Sequence, residues 1–187
     1  MSELSPSDLM QLVHRYYPAG RDAFEPGFQE SPEYQRLLAD RADARSRAEA
    51  SWQRLVKEVI ALAGEANVWD TTHPGLDNCF KLRVYLRPGP DAPAVVLMAS
   101  VLTPLHATYT VHERHQPGNS QPTRVERGPQ PETASLDSDL DRMAHAHLGT
   151  SRVDWSLLDT PVPDVSTFHT SLGRATLAQL LFTDDLQ

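Results

Sequence analysis

The chain has 187 residues, 40% of them hydrophobic, and a net charge of -8 at pH 7. That length suits one domain with a real core and is short for two. Its single cysteine, Cys79, excludes an intrachain disulfide and a cysteine-rich metal site. No apolar run approaches the roughly 20 residues that span a bilayer, and the opening MSELSPSDLMQ has no basic region followed by an apolar run, so the expectation is a soluble, cytoplasmic protein. The charge is uneven: residues 1–130 hold 16 acids against 14 bases, a balance of -2, whereas 131–187 hold 9 against 3, a balance of -6. An acidic C-terminal third disfavours nucleic acid, whose phosphates need Lys and Arg.

Ser5-Pro6-Ser7-Asp8 predicts a helix start, with Ser5 as N-cap and an acid in the first turn. Leu9, Leu12, Val13 and Tyr16 share a face before Pro18 and Gly20 end it. Ser31-Pro32-Glu33 repeats the signal, and no Pro or Gly follows until Gly64. Apolar stripes mark both ends of that segment, but its middle, ADRADARSRAEAS, is nearly all Ala and charge. A single helix of that length would reach about 45 Å, so its middle is expected either to stand off the body or to bend near residues 44–50.

Val68 and Trp69 suggest a first strand. Phe80, Leu82, Val84 and Leu86 alternate with Lys81, Arg83, Tyr85 and Arg87, the period-2 pattern of a half-buried strand, which a turn at Pro88-Gly89-Pro90-Asp91 stops. Ala94 to Leu102 is almost unbroken apolar, as in a central strand covered on both faces. After Thr103-Pro104-Leu105, Ala107, Tyr109 and Val111 alternate with His106, Thr108, Thr110 and His112. Gln116 to Thr123 reads as a polar loop and Thr123 to Arg127 as a fourth, edge strand. Ser135 is the expected cap of a third helix with Leu136, Leu140, Met143 and Ala144 on one face, closed by Gly149. Residues 153–168 are Pro-broken and expected to be extended, and Leu172 to Phe182 is a last apolar segment of either helical or strand type. The prediction is one α+β domain over 1–187: a helical part (1–65), an antiparallel meander of about four strands (66–128), and a helix with the C-terminal segment (132–187).

No motif specifies a reaction. His112 and His115 would point to opposite faces of a strand, and His145 and His147 diverge on a helix, so solvated or capping histidines are expected, with neither metal nor cofactor. Cys79 lies near His73 and Asp77, which raises a thiol nucleophile as one alternative, although a cysteine alternating opposite Phe80 is more simply a small buried hydrophobe. No phosphate loop or nucleophile elbow is present. A second alternative is a small-molecule or regulatory site on the polar side of the sheet, where Lys81, Arg83, Tyr85 and Arg87 would meet His106 and His112.

Four further features are Asp77-Asn78-Cys79, Leu102-Thr103-Pro104, Val162-Pro163-Asp164 and Gly173-Arg174-Ala175-Thr176-Leu177 with Leu181-Phe182. In these, residues 73–115 and 160–185 resemble small bacterial immunity proteins that neutralise polymorphic toxins, particularly those paired with lipoprotein toxins exchanged between myxobacterial cells. The resemblance implies a non-enzymatic cytoplasmic protein that binds one cognate toxin protein; it carries over no catalytic residues and no contact residues. The chain's own chemistry offers Asp137, Asp139, Asp141, Asp154, Asp159 and Asp164 as an acid-rich set that could meet a basic partner and steer its encounter, with no role for nucleic acid or membrane.

Overall fold

The computed structural model describes residues 5–87, 92–116 and 119–183, and for 113–116 and 119–123 the backbone alone. Helix α1 (Pro6–Tyr16) starts as a reciprocal capping box: Ser5 Oγ accepts from the Asp8 N–H at 3.2 Å, and Asp8 Oδ2 accepts from the Ser5 N–H at 2.9 Å. Helix α2 (Pro32–Ala63) is capped by Ser31 and runs unbroken for 32 residues, about 48 Å. It ends at Gly64, whose φ of 85° a side chain would strain. A short 3₁₀ turn, Glu65–Asn67, leads into the sheet.

Strands β1 (Val68–Asp70), β2 (Cys79–Tyr85), β3 (Pro93–Ser100), β4 (Leu105–Gln116) and β5 (Asn119–Arg127) lie antiparallel in chain order. The two-residue β6 (Ser151–Arg152) pairs parallel to the start of β4. The sheet is therefore mixed and has six strands among the described residues, not the all-antiparallel meander of four. The polar stretch after Gln116 forms most of β5: its Pro122 is tolerated because β5 is an edge strand, where a missing N–H breaks no inner ladder. A strand as short as β6 leaves no periodic trace in the sequence. The turn expected at Pro88–Asp91 lies outside the described residues.

The last third is more helical than the prolines suggest. Helix α3 (Ala134–Leu148) has Thr133 at its N-cap position, two residues before the expected Ser135, and closes at Gly149 with φ 65°. Asp154 caps the single turn α4 (Trp155–Leu158), inside the segment expected to be extended. Helix α5 (Leu177–Leu181) opens with a capping box between Thr176 and Gln179, which settles the last apolar segment as helical at that point.

Register sorts the sheet residues into two faces. Leu82, Leu97 and Thr108 lie side by side on one; Arg83, Val96 and Tyr109 lie on the other. On the first face Phe80, Leu82, Val84, Val95 and Leu97 pack with Trp52, Leu55 and Val59 of α2 and with Leu140, Met143 and Ala144 of α3. On the second, Val96, Met98, Ala107, Tyr109 and Val111 pack with α1, α4 and α5. The sheet is thus the middle of three layers, which explains why every residue of β3 is buried.

The long helix serves both layers. Leu37 near its start belongs to the second-face cluster, and Trp52, Leu55 and Val59 belong to the first. Between them Arg45 is only 9% exposed, so the middle of the helix does not stand off the body, and the helix is continuous through residues 44–50. Further on, the Trp52 ring stacks on Phe80 at 4.9 Å, and its Nε1 donates to Asp70 Oδ2 at 2.8 Å. Trp52→Ala removes a fully buried side chain at that contact, and urea denaturation should show a loss of about 4 kcal/mol; a loss under about 1 kcal/mol would mean that α2 is held elsewhere.

Candidate functional site

Two polar constructions position the helices around the sheet. The first surrounds the entry to β2. Arg45 Nη2 donates to the carbonyls of Asp77 (2.8 Å) and Cys79 (3.1 Å), and its guanidinium lies 5.1 Å from the Phe80 ring centroid. One helical turn earlier, Arg41 donates to the Gly75 carbonyl at 3.0 Å and the Leu76 carbonyl at 3.3 Å. Asn78 Nδ2 donates to Tyr17 Oη and to the Leu180 carbonyl, each at 2.8 Å, and Thr183 Oγ1 donates to Asp77 Oδ1 at 2.6 Å. Asp77 Oδ2 also accepts the His73 N–H at 2.9 Å and stands 3.7 Å from Lys81 Nζ. Residues 75–81 are therefore the junction of α1, α2, α5 and the sheet.

Cys79 sits inside that junction, fully buried, and burial together with the nearby Asp77 charge pushes its thiol pKa well up. An activated cysteine has the opposite shift.

The second construction joins α3 to β4. His106, Thr108 and Thr110 project from β4 towards α3 and are all buried. His106 Nε2 hydrogen-bonds Asp141 Oδ1 at 2.8 Å and its Nδ1 hydrogen-bonds Thr150 Oγ1 at 3.0 Å. Arg152 donates to both oxygens of Asp137, at 2.6 and 2.9 Å, and the Thr108 hydroxyl also donates to Asp137. That bidentate contact raises the Arg152 pKa. Thr110 and Thr133 share a hydroxyl contact at 3.1 Å. Farther along, His147 Nε2 meets Glu58 Oε2 at 2.6 Å, which ties α3 to α2 and lowers the Glu58 pKa. A hydroxyl–imidazole–carboxylate row invites a catalytic reading, but His106 is 1% exposed and Thr150 4% exposed. The row's geometry is that of a satisfied internal network.

The acid-rich set divides. Asp137 is 3% exposed and fully engaged, so it is not a contact residue: its helical position faces the sheet rather than solvent. Asp141 is held by His106, Asp139 by Arg142 at 3.3 Å, Asp159 by Arg127 and Asp164 by His14 at 2.9 Å, while Asp154 caps α4. The second sheet-face set divides as well. Lys81, Arg83 and Tyr85 lie on the face opposite His106 and His112, because β2 and β4 pair through β3 in a register that places Phe80 beside Ala99 and Ala99 beside His106. Lys81 and Tyr85 are themselves buried, Tyr85 edge-on to Trp69; Arg87 follows the strand, exposed. No common surface joins these six residues.

Two large apolar side chains stand out at the surface instead. Phe24 is 75% and Leu76 73% exposed. Phe24 meets Phe168 edge-on at 5.8 Å, and Phe168 meets Phe28 and Tyr34. Phe168, Tyr34, Leu76 and Arg41 line a pocket of about 60 Å³, and Arg41 with Arg45, Leu38 and Pro74 lines an adjoining cleft of about 500 Å³. A separate cleft of about 530 Å³, lined by Ser51, Phe80, Ser100, Thr103 and Thr150, opens beside the other flank of α2. Among the described residues no group of three or more His, Cys, Asp or Glu is placed to hold a metal ion, and no helix is long and apolar enough to cross a membrane.

Arg41 and Arg45 were missed by sequence reasoning, which expected the charge-rich middle of α2 to stand off the body or to bend. The available signal was their position: Leu38, Arg41, Arg45, Ala48 and Trp52 recur at the three- and four-residue spacing of one helix face. No protein-family model, curated protein or solved structure matches the chain.

His106 gives the network a measurable pH dependence. Burial lowers its pKa, against the opposing pull of Asp141 and with help from Arg152 and His145. The unfolded chain, with a histidine pKa of about 6.5, therefore takes up the proton first as pH falls. This contribution to stability is complete above about pH 6.5 and declines below it. Denaturation of wild type between pH 7 and 5 should lose stability more steeply than His106→Asn; equal slopes would show that His106 titrates as it does unfolded.

Proposed function

We propose that the chain neutralises another protein by binding it directly, as an immunity protein of the kind its sequence resembles, with a toxin as the partner. The observation that supports this reading best is the exposure of Phe24 and Leu76 on one region of the surface. Large apolar side chains grouped in the open are a mark of binding sites rather than of isolated folded chains. Direct binding needs no catalytic group, and it accords with a protein whose buried polar side chains at the β2 entry and beneath α3 are committed to joining helices to the sheet. A Cys79 enzyme has less support, because the thiol pKa is raised. So does a small-molecule site on the polar sheet face, because its residues divide between two faces.

The test is co-expression with the product of the gene adjacent to its own, scored by host growth and by a co-purified complex. The reading predicts that a toxic neighbour becomes harmless and that a stable complex is recovered. A toxic neighbour that still kills while this chain is abundant and folded, with no complex, would overturn it.

A further inference from the structure

Two arginines in the middle of α2 lack what a guanidinium usually meets. Arg41 and Arg45 are four residues apart on one helix face, close enough for each charge to be felt by the other. Among the described residues neither has a carboxylate within salt-bridge distance; their acceptors are backbone carbonyls and the Asn78 amide oxygen. Arg45 is 9% exposed, yet its Nε and Nη1 have no hydrogen-bond partner. Burial lowers its pKa, with the Arg41 charge, against the weaker opposing pull of Cys79, Asp77 and Glu49. Buried donors left unmade cost stability, and native proteins usually satisfy them.

Apolar side chains stand beside this cation pair, with Glu49 and Ser46 at the rim of the same cleft. Arg41 lines both the cleft that holds Arg45 and the small pocket walled by Tyr34, Phe168 and Leu76, and Phe24 extends the same wall outward through its contact with Phe168. Arginine and aromatic side chains around a small pocket form the composition of an interface hot spot, in which an apolar anchor is inserted and a charge is met beside it. Arg41, which meets no carboxylate within salt-bridge distance among the described residues, selects the sign of that charge.

We infer that the face formed by the first half of α2, the 73–78 turn and the 24–28 loop is the docking surface for a partner protein. The partner segment presents an aliphatic or aromatic side chain to the Leu76–Phe168 pocket and a carboxylate to Arg41, behind which the buried charge of Arg45 adds to the positive field. This rests on the binding reading above and names its surface and the chemistry of the partner segment. It departs from the acid-rich C-terminal set, whose members are each held by a cation, a histidine or a helix cap within the fold.

The experiment measures affinity for the co-expressed partner with wild type and four variants, with far-UV circular dichroism to verify folding. Phe24→Asp and Leu76→Asp alter exposed side chains and should each weaken binding about 100-fold. Arg41→Gln should weaken it about tenfold and flatten its salt dependence, because a rim charge acts through screened attraction. Leu62→Gln, at the far end of α2 and 49% exposed, should change nothing. Full affinity in both Phe24→Asp and Leu76→Asp would overturn the surface while leaving the binding reading intact; a wild type that forms no complex would instead overturn the binding reading. Sedimentation of the chain alone adds one more outcome: a dimer dissociated by Leu76→Asp would put a second copy on this face and overturn the assignment to a different protein.

Discussion

The structure depends on one buried contact, the guanidinium of Arg45 held against the carbonyls of Asp77 and Cys79 and the ring of Phe80. A 32-residue helix has far more length than one face of this sheet can cover. It is useful here because its first half packs with α1 and the C-terminal segment and its second half with α3, on opposite sides of the sheet. Where it passes from one side to the other it must cross the end of β2, which exposes backbone carbonyls rather than apolar side chains. A guanidinium is suited to that crossing: its long stem packs along the helix, and its planar head can donate to two carbonyls at once. Asn78 and Asp77 complete the junction by binding Tyr17, the Leu180 carbonyl and Thr183. The Asp-Asn-Cys sequence at the start of β2 is thus explained by packing and hydrogen bonding, with no chemistry required of the thiol.

The same logic governs α3. Its polar residues Asp137 and Asp141 face the sheet because β4 presents His106, Thr108 and Thr110 there instead of aliphatic side chains. Arg152 from β6 makes up the charge of Asp137. A polar layer of this kind is stable only when each member finds its partners, and it fixes the register of helix on sheet more narrowly than an apolar layer would. At the surface, Leu76 and Arg41 lie beside the junction that α1, α2 and α5 share with the sheet.

Much of this architecture was legible in the sequence. The Ser-Pro helix starts, the alternation along β2 and β4 and the apolar run of β3 are each direct records of burial, and each produced the expected element. β5 was obscured because its first half is rich in turn residues, and an edge strand can tolerate them. The candidate site was less legible. Arg41 and Arg45 look like solvated helix charges, and only the three-dimensional position of the 75–79 segment reveals that they are enclosed. Asp137 misled in the opposite sense: an acid in a first helical turn is commonly a solvated cap of the dipole, and only Arg152, fifteen residues later, turns it inward. Alternation also placed Lys81 and His106 correctly within their own strands; what it could not supply was the register across β3, which puts them on opposite faces.

The most direct test of this account is hydrogen–deuterium exchange on Arg45→Met, which keeps the apolar stem and removes the donors. If Arg45 joins the long helix to the sheet, residues 41–52 and 77–80 should lose protection together, with a fall in global stability of about 2 kcal/mol for the buried carbonyls left unmet, while α1 and β3 retain their relative protection. Unchanged exchange at both segments, with stability equal to or above that of wild type, would show that the helix crosses the sheet end without it.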